Sequence, residues 1–252
     1  MAVIGITGAT DGIGRATAQV LLADGHRVLV HARSRERGEP ILQALSGGDV
    51  ALLVGDLARL DDVHRLADQV REHGPVDAWV HNAGVWVRGS TPRTSADGYE
   101  MTFAVNVLAP HLLTHLLSTE LRGRLLWLGS GVAGSERPQP ATLGRDTDPW
   151  RAYVESKACD VALALAWDRR LPDVTSAAVD PGWVKTKLAS PGAETGKLPR
   201  RCRRQRPAGP VEGGGARFCA DQHSDDFHQH AGEEPLGHFG LLRQRRRRQS
   251  GG

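Results

Sequence analysis

The sequence predicts an α/β protein in which a parallel sheet carries helices on both faces, a doubly wound arrangement in one domain. Three observations predict it. Short runs rich in Val, Leu and Ile alternate with segments of helical period along residues 2–190. The runs are almost continuously apolar, as strands buried on both faces must be. The first run passes through a glycine-rich turn directly into a helical segment.

Taken in order, residues 2–6 read as a first strand, and "IGRATAQVLLADG" as a helix that Gly25 ends. "RVLVHA" (27–32) is a second strand, followed by a short helix over 36–45. "VALLVG" (50–55) is a third strand. "RLDDVHRLADQVREHG" is an amphipathic helix with Leu60, Val63, Leu66, Ala67 and Val70 on one face. "DAWVHNAG" (77–84) is a fourth strand, and a long helix is expected over 97–121. "RLLWLGS" (124–130) is a fifth strand, the segment around "YVESK" a further helix, and "TSAAVDPG" (175–182) a sixth strand. Trp79, Trp127 and Trp167 fall on these patterns and are expected in the core. Right-handed crossovers leave few topologies for such an alternation, the doubly wound sheet foremost.

Composition narrows the function classes. A chain of 252 residues suffices for one domain with a substantial core. Cys159, Cys202 and Cys219 make no disulfide framework, which suits a reducing compartment. "MAVIGITGAT" lacks the basic flank and long apolar stretch of a signal peptide, and no later stretch is apolar enough to span a bilayer, so a cytoplasmic protein is expected. The pI near 9.0 invites a nucleic-acid reading. However, residues 1–196 hold 20 Lys+Arg against 23 Asp+Glu, whereas residues 197–252 hold 12 against 6. The body is mildly acidic, so no nucleic-acid partner is expected for it.

The turn "TGATDGIG" (7–14) lies between the first strand and the first helix. Gly8, Gly12 and Gly14 let the backbone bend sharply and approach a ligand, which leaves the helix N-terminus to a pyrophosphate, the Rossmann-type arrangement. At the end of the second strand an acid would bond a ribose 2′-hydroxyl, whereas a base accommodates a 2′-phosphate. Here "VHARSRER" offers Arg33 and Ser34, with no acid before Glu36. That pattern favours NADP(H) over NAD(H).

With these motifs the chain resembles the short-chain dehydrogenase/reductase family, in the branch similar to retinol dehydrogenases and related carbonyl reductases. "TGATDGIG" matches the family's cofactor turn, including Thr10, Asp11 and Ile13. "GDL" (55–57) matches the adenine-contacting strand end with Asp56 and Leu57, and "HNAG" (81–84) the segment with Asn82, Ala83 and Gly84. "NVLAP" (106–110) supplies Asn106, "LGSGVAG" (128–134) supplies Ser130, and "YVESK" supplies Tyr153 and Lys157. "DPGWVKT" (180–186) matches the nicotinamide-side loop with Pro181, Gly182, Trp183, Val184 and Thr186. The match covers roughly residues 2–190.

The chemistry of these residue types agrees with that resemblance. Reducing a carbonyl by hydride transfer leaves an alkoxide that must be protonated as it forms. A phenol, with an ordinary pKa of about 10, is a weak acid-base group near neutrality unless its anion is stabilised. Lys157, one helical turn from Tyr153, would supply the stabilising charge. Tyr153 is thus expected to act as general acid in reduction and general base in oxidation. Ser130 would polarise the carbonyl oxygen. The resemblance implies that Lys157 also holds the nicotinamide ribose and that Asn106 holds a proton-relaying water; the alternative for Asn106 is a satisfied buried amide.

Two departures from the family stand out. Between Ser130 and Tyr153 the stretch "SERPQPATLGRDTDPW", with Pro138, Pro140 and Pro149, reads as a long loop of the kind found in the retinol-dehydrogenase-like branch. Beyond residue 196 the pattern stops: of 56 residues, 11 are Arg and only 8 are Val, Ile, Leu, Met, Phe, Tyr or Trp. This tail is expected to be disordered and to leave the sheet without its final strand. A shifted reading frame accounts for it better than genuine divergence. Its Cys202, Cys219, His223, His228 and His230 lack the spacing of a zinc site, and its "RQRRRR" run reads as solvated charge. The expectation is an NADP(H)-dependent carbonyl reductase or alcohol dehydrogenase acting on a small molecule, without a metal and possible as a homodimer. The rivals are a non-catalytic NADP-binding sensor or partner-binding module and a defective truncated enzyme.

Overall fold

The computed structural model describes residues 1–88, 93–135, 137–145, 148–182, 184 and 240–242. Six parallel strands form the sheet: β1 (Val3–Ile6), β2 (Arg27–Ala32), β3 (Val50–Val54), β4 (Val76–His81), β5 (Leu121–Leu128) and β6 (Thr175–Asp180). A three-residue strand, β7 (Gly240–Leu242), runs antiparallel against β6, so the order is β3-β2-β1-β4-β5-β6-β7. The chain reverses direction of growth between β3 and β4, and the strand ends at that reversal, β1 and β4, open a crevice at their carboxyl edge. The final sheet position thus carries a short reversed segment. The rest of the tail, including the cysteines and histidines set aside above, lies outside the described residues.

Helices α1 (Gly12–Ala23) and α2 (Arg35–Ala44) cover one face, where Ile4, Ile6, Val28 and Val30 pack with Ala18 and Ile41. The other face carries α3 (Leu60–Arg71), α5 (Ala109–Leu116) and α6 (Pro149–Arg170), gathered around Leu29, Leu53, Trp79, Leu125 and Trp127. Trp79 and Trp127 are fully buried and Trp167 nearly so. The fit of Trp79 explains a small residue in the middle of β1. Gly5 is its register neighbour, and a Cβ there would lie 2.1 Å from the indole ring.

The long helix expected over 97–121 is shorter and broken. Residues up to Tyr99 form turns with Gly98 at φ +83°, and Thr94 bridges Glu100. Helical backbone starts at α4 (Met101–Phe103), where the Glu100 carboxylate caps the amides of Thr102 and Phe103. A π turn follows over Ala104–Leu108, then α5. The apolar spacing hides this insertion because a π turn adds a residue without changing which residue types are buried. At the other end, Leu121 already belongs to β5. Pro149, read as loop, is the first residue of α6. Its missing N–H costs nothing there, and Asp148 accepts from the amides of Trp150 and Arg151, both at 3.0 Å.

His81 ends β4 inside the core, 4 % exposed, with its ring 4.4 Å from that of Trp127. Its Nε2–H donates to Thr114 Oγ1 at 2.7 Å, since that hydroxyl already donates to the Pro110 carbonyl. Burial, with the charge of His111 adding, pushes its pKa down to about 3. A folded-state value below the unfolded one, about 6.5, gives stability present above pH 6.5 and lost as pH falls towards 3. Between pH 7 and pH 5 the loss from this residue is about 2 kcal/mol. We therefore expect the stability gap between wild type and His81→Gln to shrink by that amount over this range in urea titrations, and parallel curves would contradict it.

Candidate active site

The glycine turn sits in the crevice. Asp11 caps α1 and accepts from the Gly12 amide at 2.8 Å, while the Arg15 amide closes onto the Asp11 carbonyl. Among the described residues the amides of Ile13 and Gly14 are the first-turn donors left for an anion. Gly8 has φ +65° and Gly12 φ +53°, conformations that favour glycine. A Cβ on Gly14 would lie 2.4 Å from Asn82 Nδ2 and 2.6 Å from the Gly8 carbonyl. The turn therefore offers a backbone cradle beside Thr10 that fits a bound pyrophosphate.

Asn82 ties this turn to β4. Its Nδ2 donates to the Thr7 and Gly8 carbonyls at 2.8 and 3.1 Å, and the amides of Asn82 and Ala83 donate to Thr7 Oγ1. His31, which the sequence reading passed over, ties it to β3. Its Nδ1 accepts from the Gly8 amide at 3.1 Å and its Nε2–H donates to the Gly55 carbonyl at 2.8 Å. That pair of bonds fixes a neutral tautomer, and burial holds the ring below the ordinary histidine range. The only sequence signal was a histidine in an otherwise apolar strand. Next to Gly55, Asp56 accepts from the Ala58 amide and Leu57 is buried. Arg33 is exposed at the end of β2. Ser34 begins α2 and bonds the Glu36 carboxylate, which holds that carboxyl below its usual range.

The second half of the site gathers on α6. Lys157, 5 % exposed, donates to the Leu128 carbonyl at 2.8 Å and to Asp160 Oδ2 at 2.9 Å. Its Nζ is 5.9 Å from the centre of the Tyr153 ring. Tyr153 stacks on Trp86, with ring centres 5.5 Å apart, and meets Trp150 at 6.0 Å. Sequence reasoning missed both tryptophans; Trp86 follows "HNAG" by two residues and is half-buried. Asn106, in the π turn, accepts from the Val85 amide at 2.8 Å. It donates through Nδ2 to the Val85 carbonyl at 3.0 Å and to Ser156 Oγ at 2.9 Å. A Cβ on Gly84 would lie 3.6 Å from both Asn106 Oδ1 and Lys157 Nζ. Asn106 and Lys157 thus converge on the Gly84–Val85 backbone, with the Tyr153 ring on the next residue, Trp86.

Ser130 stands at the carboxyl end of β5, two residues beyond Leu128, with extended backbone ahead of a 3-10 turn over Gly131–Gly134 that its side chain does not cap. Pro181, Gly182 and Val184 follow β6, and the Gly182 amide donates to Asp180 Oδ1 at 2.9 Å. Trp183 and Thr186 lie outside the described residues. Cys159, one turn from Glu155 on α6, has its thiol pushed up to about 12 by burial and by Asp160 and Glu155, so it is inert as a nucleophile.

Strand order, the glycine cradle and the crevice at the sheet reversal define the class, a doubly wound nucleotide-binding α/β domain. A family model for short chain dehydrogenases matches residues 2–196. An uncharacterized oxidoreductase of Emericella nidulans is 36% identical over 195 residues, covering 75% of this chain and 73% of the relative. Dehydrogenase/reductase SDR family member 13 of Homo sapiens is 33% identical over 198 residues, covering 73% of this chain and 52% of the relative. The crystal structure of an alcohol dehydrogenase from Thermococcus sibiricus complexed with 5-hydroxy-NADP superposes with a TM-score of 0.62. It is 28% identical and covers 78% of this chain and 82% of that one. The chain belongs to the short-chain dehydrogenase family and is an oxidoreductase. Among the described residues no helix is long and apolar enough to cross a membrane.

Proposed function

We propose that the protein interconverts a carbonyl compound and its alcohol with NADP(H), and that Tyr153 exchanges the proton at the substrate oxygen. The observation that carries this reading is the Tyr153–Lys157 pair, one turn apart on α6, with Nζ 5.9 Å from the phenol ring and Lys157 beside Gly84 at the crevice. When bound, NADP(H) supplies the hydride in reduction and takes it up in oxidation.

Each chain residue has a task in this reading. Gly8, Gly12 and Gly14 receive the pyrophosphate, and Asp56 and Leu57 border the adenine. Lys157 holds the nicotinamide ribose and keeps positive charge beside the phenol, which stabilises the phenolate formed as the proton leaves. Ser130 donates to the substrate oxygen. Asn106 has committed both amide hydrogens, so its task is to brace Val85 against Ser156, whose hydroxyl in turn donates to the Tyr153 carbonyl at 2.7 Å. A relayed water would have to use the remaining acceptor capacity of that amide or of the neighbouring backbone.

Coenzyme choice rests on Arg33, whose exposed guanidinium at the end of β2 suits a 2′-phosphate bidentately. The NADP analogue in the Thermococcus structure supports the same choice by similarity. Calorimetric titration is expected to give at least tenfold tighter binding of NADPH than NADH, with Arg33→Ala removing most of the difference. A panel of aldehydes and ketones followed by NADPH absorbance tests the reaction itself. Equal binding of the two coenzymes would overturn the assignment of Arg33, and a panel without turnover would overturn the reaction.

A further inference from the structure

The charge that should serve Tyr153 is shared. Lys157 and Asp160 are both buried, 5 % and 4 % exposed, one turn apart on α6 and 2.9 Å from contact atom to contact atom. The second Lys157 bond, to the Leu128 carbonyl, draws the ammonium towards β5. Tyr153 lies one turn earlier on the helix, without a bond from Nζ to its ring oxygen among the described contacts.

We propose that Asp160 is a positioning residue for the reaction: its carboxylate holds the Lys157 ammonium on the β5 side and withholds part of its charge from Tyr153. The acid-base group is then a Tyr153–Lys157–Asp160 series and not a tyrosine–lysine pair. This rests on the reading of Tyr153 as the proton-exchanging group. It goes beyond that reading because it makes the strength of the phenol depend on a third ionisable group that touches neither substrate nor coenzyme.

The neighbourhood leaves Lys157 as the charge that acts on Asp160. Burial raises the Asp160 carboxyl to about 6, and Lys157 opposes that rise by its charge and its hydrogen bond. Of the elements packed against α6, α4, the π turn and the 3-10 turn carry no ionisable side chain. β5 contributes Arg122 and Arg124 towards its start, β6 contributes Asp180 at its end, and His111 of α5 meets the helix at Trp167. On α6 itself, Glu155 pairs with Arg151, and Cys159 is a neutral thiol. A carboxyl that titrates near pH 6 beside a buried ammonium therefore changes the charge that Tyr153 senses within the physiological range.

The chain contains two tyrosines, so the test can read the phenol directly. Protein labelled with 13C at tyrosine Cζ, in a Tyr99→Phe background, reports Tyr153 alone in an NMR titration. In Asp160→Asn, which removes the negative charge and keeps an acceptor for Lys157, the Tyr153 titration midpoint is expected to fall by about one unit. Asp160→Glu should leave it near the wild-type position. The Asp160-competent protein should also show a small step of the Tyr153 signal near pH 6, a measurement that needs no variant at residue 160. A purely structural Asp160 would lower thermal stability on substitution and move neither the midpoint nor the step. An unmoved midpoint in folded Asp160→Asn, or absence of the step, overturns the proposal. Because the readout needs no turnover, failure of the general-acid reading would show separately, as activity surviving in Tyr153→Phe.

Discussion

Turnover is expected to fall by at least about a thousandfold in Tyr153→Phe, with NADPH affinity held within about threefold of wild type. The substitution removes one oxygen and keeps the ring that stacks on Trp86 and meets Trp150. Packing is thereby conserved, and the loss isolates proton exchange at the substrate oxygen. Steady-state rates in both directions, with coenzyme affinity measured alongside, check it. If activity stays within tenfold of wild type, another group supplies the proton and the proposed reaction loses its acid. If affinity and rate collapse together, the tyrosine holds the pocket in shape and the assignment of a chemical role to its hydroxyl fails.

The second large effect is expected at Gly14→Ala, where NADPH affinity should fall at least about a hundredfold. The added Cβ would sit 2.4 Å from Asn82 Nδ2 and 2.6 Å from the Gly8 carbonyl, so the turn must open or Asn82 must leave its two carbonyl partners. Either outcome moves the amides of Ile13 and Gly14 away from the position where they face a pyrophosphate. Gly47→Ala serves as the control, since a Cβ there meets nothing within 4 Å. Calorimetry on both variants decides the matter: wild-type affinity in Gly14→Ala would mean that the pyrophosphate is seated elsewhere.

The six parallel strands were legible because they are buried on both faces and so are written as runs of Val, Leu, Ile and Ala, each bounded by Gly, Asp or Pro. The glycine turn was legible because close backbone approach leaves glycine as the residue that fits. What was lost is what periodicity cannot encode. The π turn around Asn106 places one extra residue among Ala, Val and Leu, apolar residues mutually exchangeable in pattern. Helix α6 hid the Lys157–Asp160 pair because an aspartate three residues after a lysine reads as an ordinary surface pair, and its burial depends on β5 and the π turn closing over it. His31 and His81 likewise look like interruptions in apolar strands. The positions of Gly8 and Gly55 after neighbouring strands, and of Thr114 on α5, give them their hydrogen-bond partners. Trp86 and Trp150 come from segments about 60 residues apart and meet because α6 begins at the edge where β4 ends.

The π turn has a consequence for how this chain can vary. Removing one residue between Ala104 and Leu108 would restore an ordinary helix, with the flanking helices kept in phase and the widened turn itself lost. Downstream, α5 is anchored in the core by Leu113 and by Thr114 against His81, so the change would fall on the turn itself and shift the Asn106 amide from Val85 and Ser156. Around Asn106 the quantity that must be inherited is therefore a number of residues more than a set of side chains. Exchanges among Ala, Val and Leu in this segment are small changes, whereas a single-codon deletion is a large one.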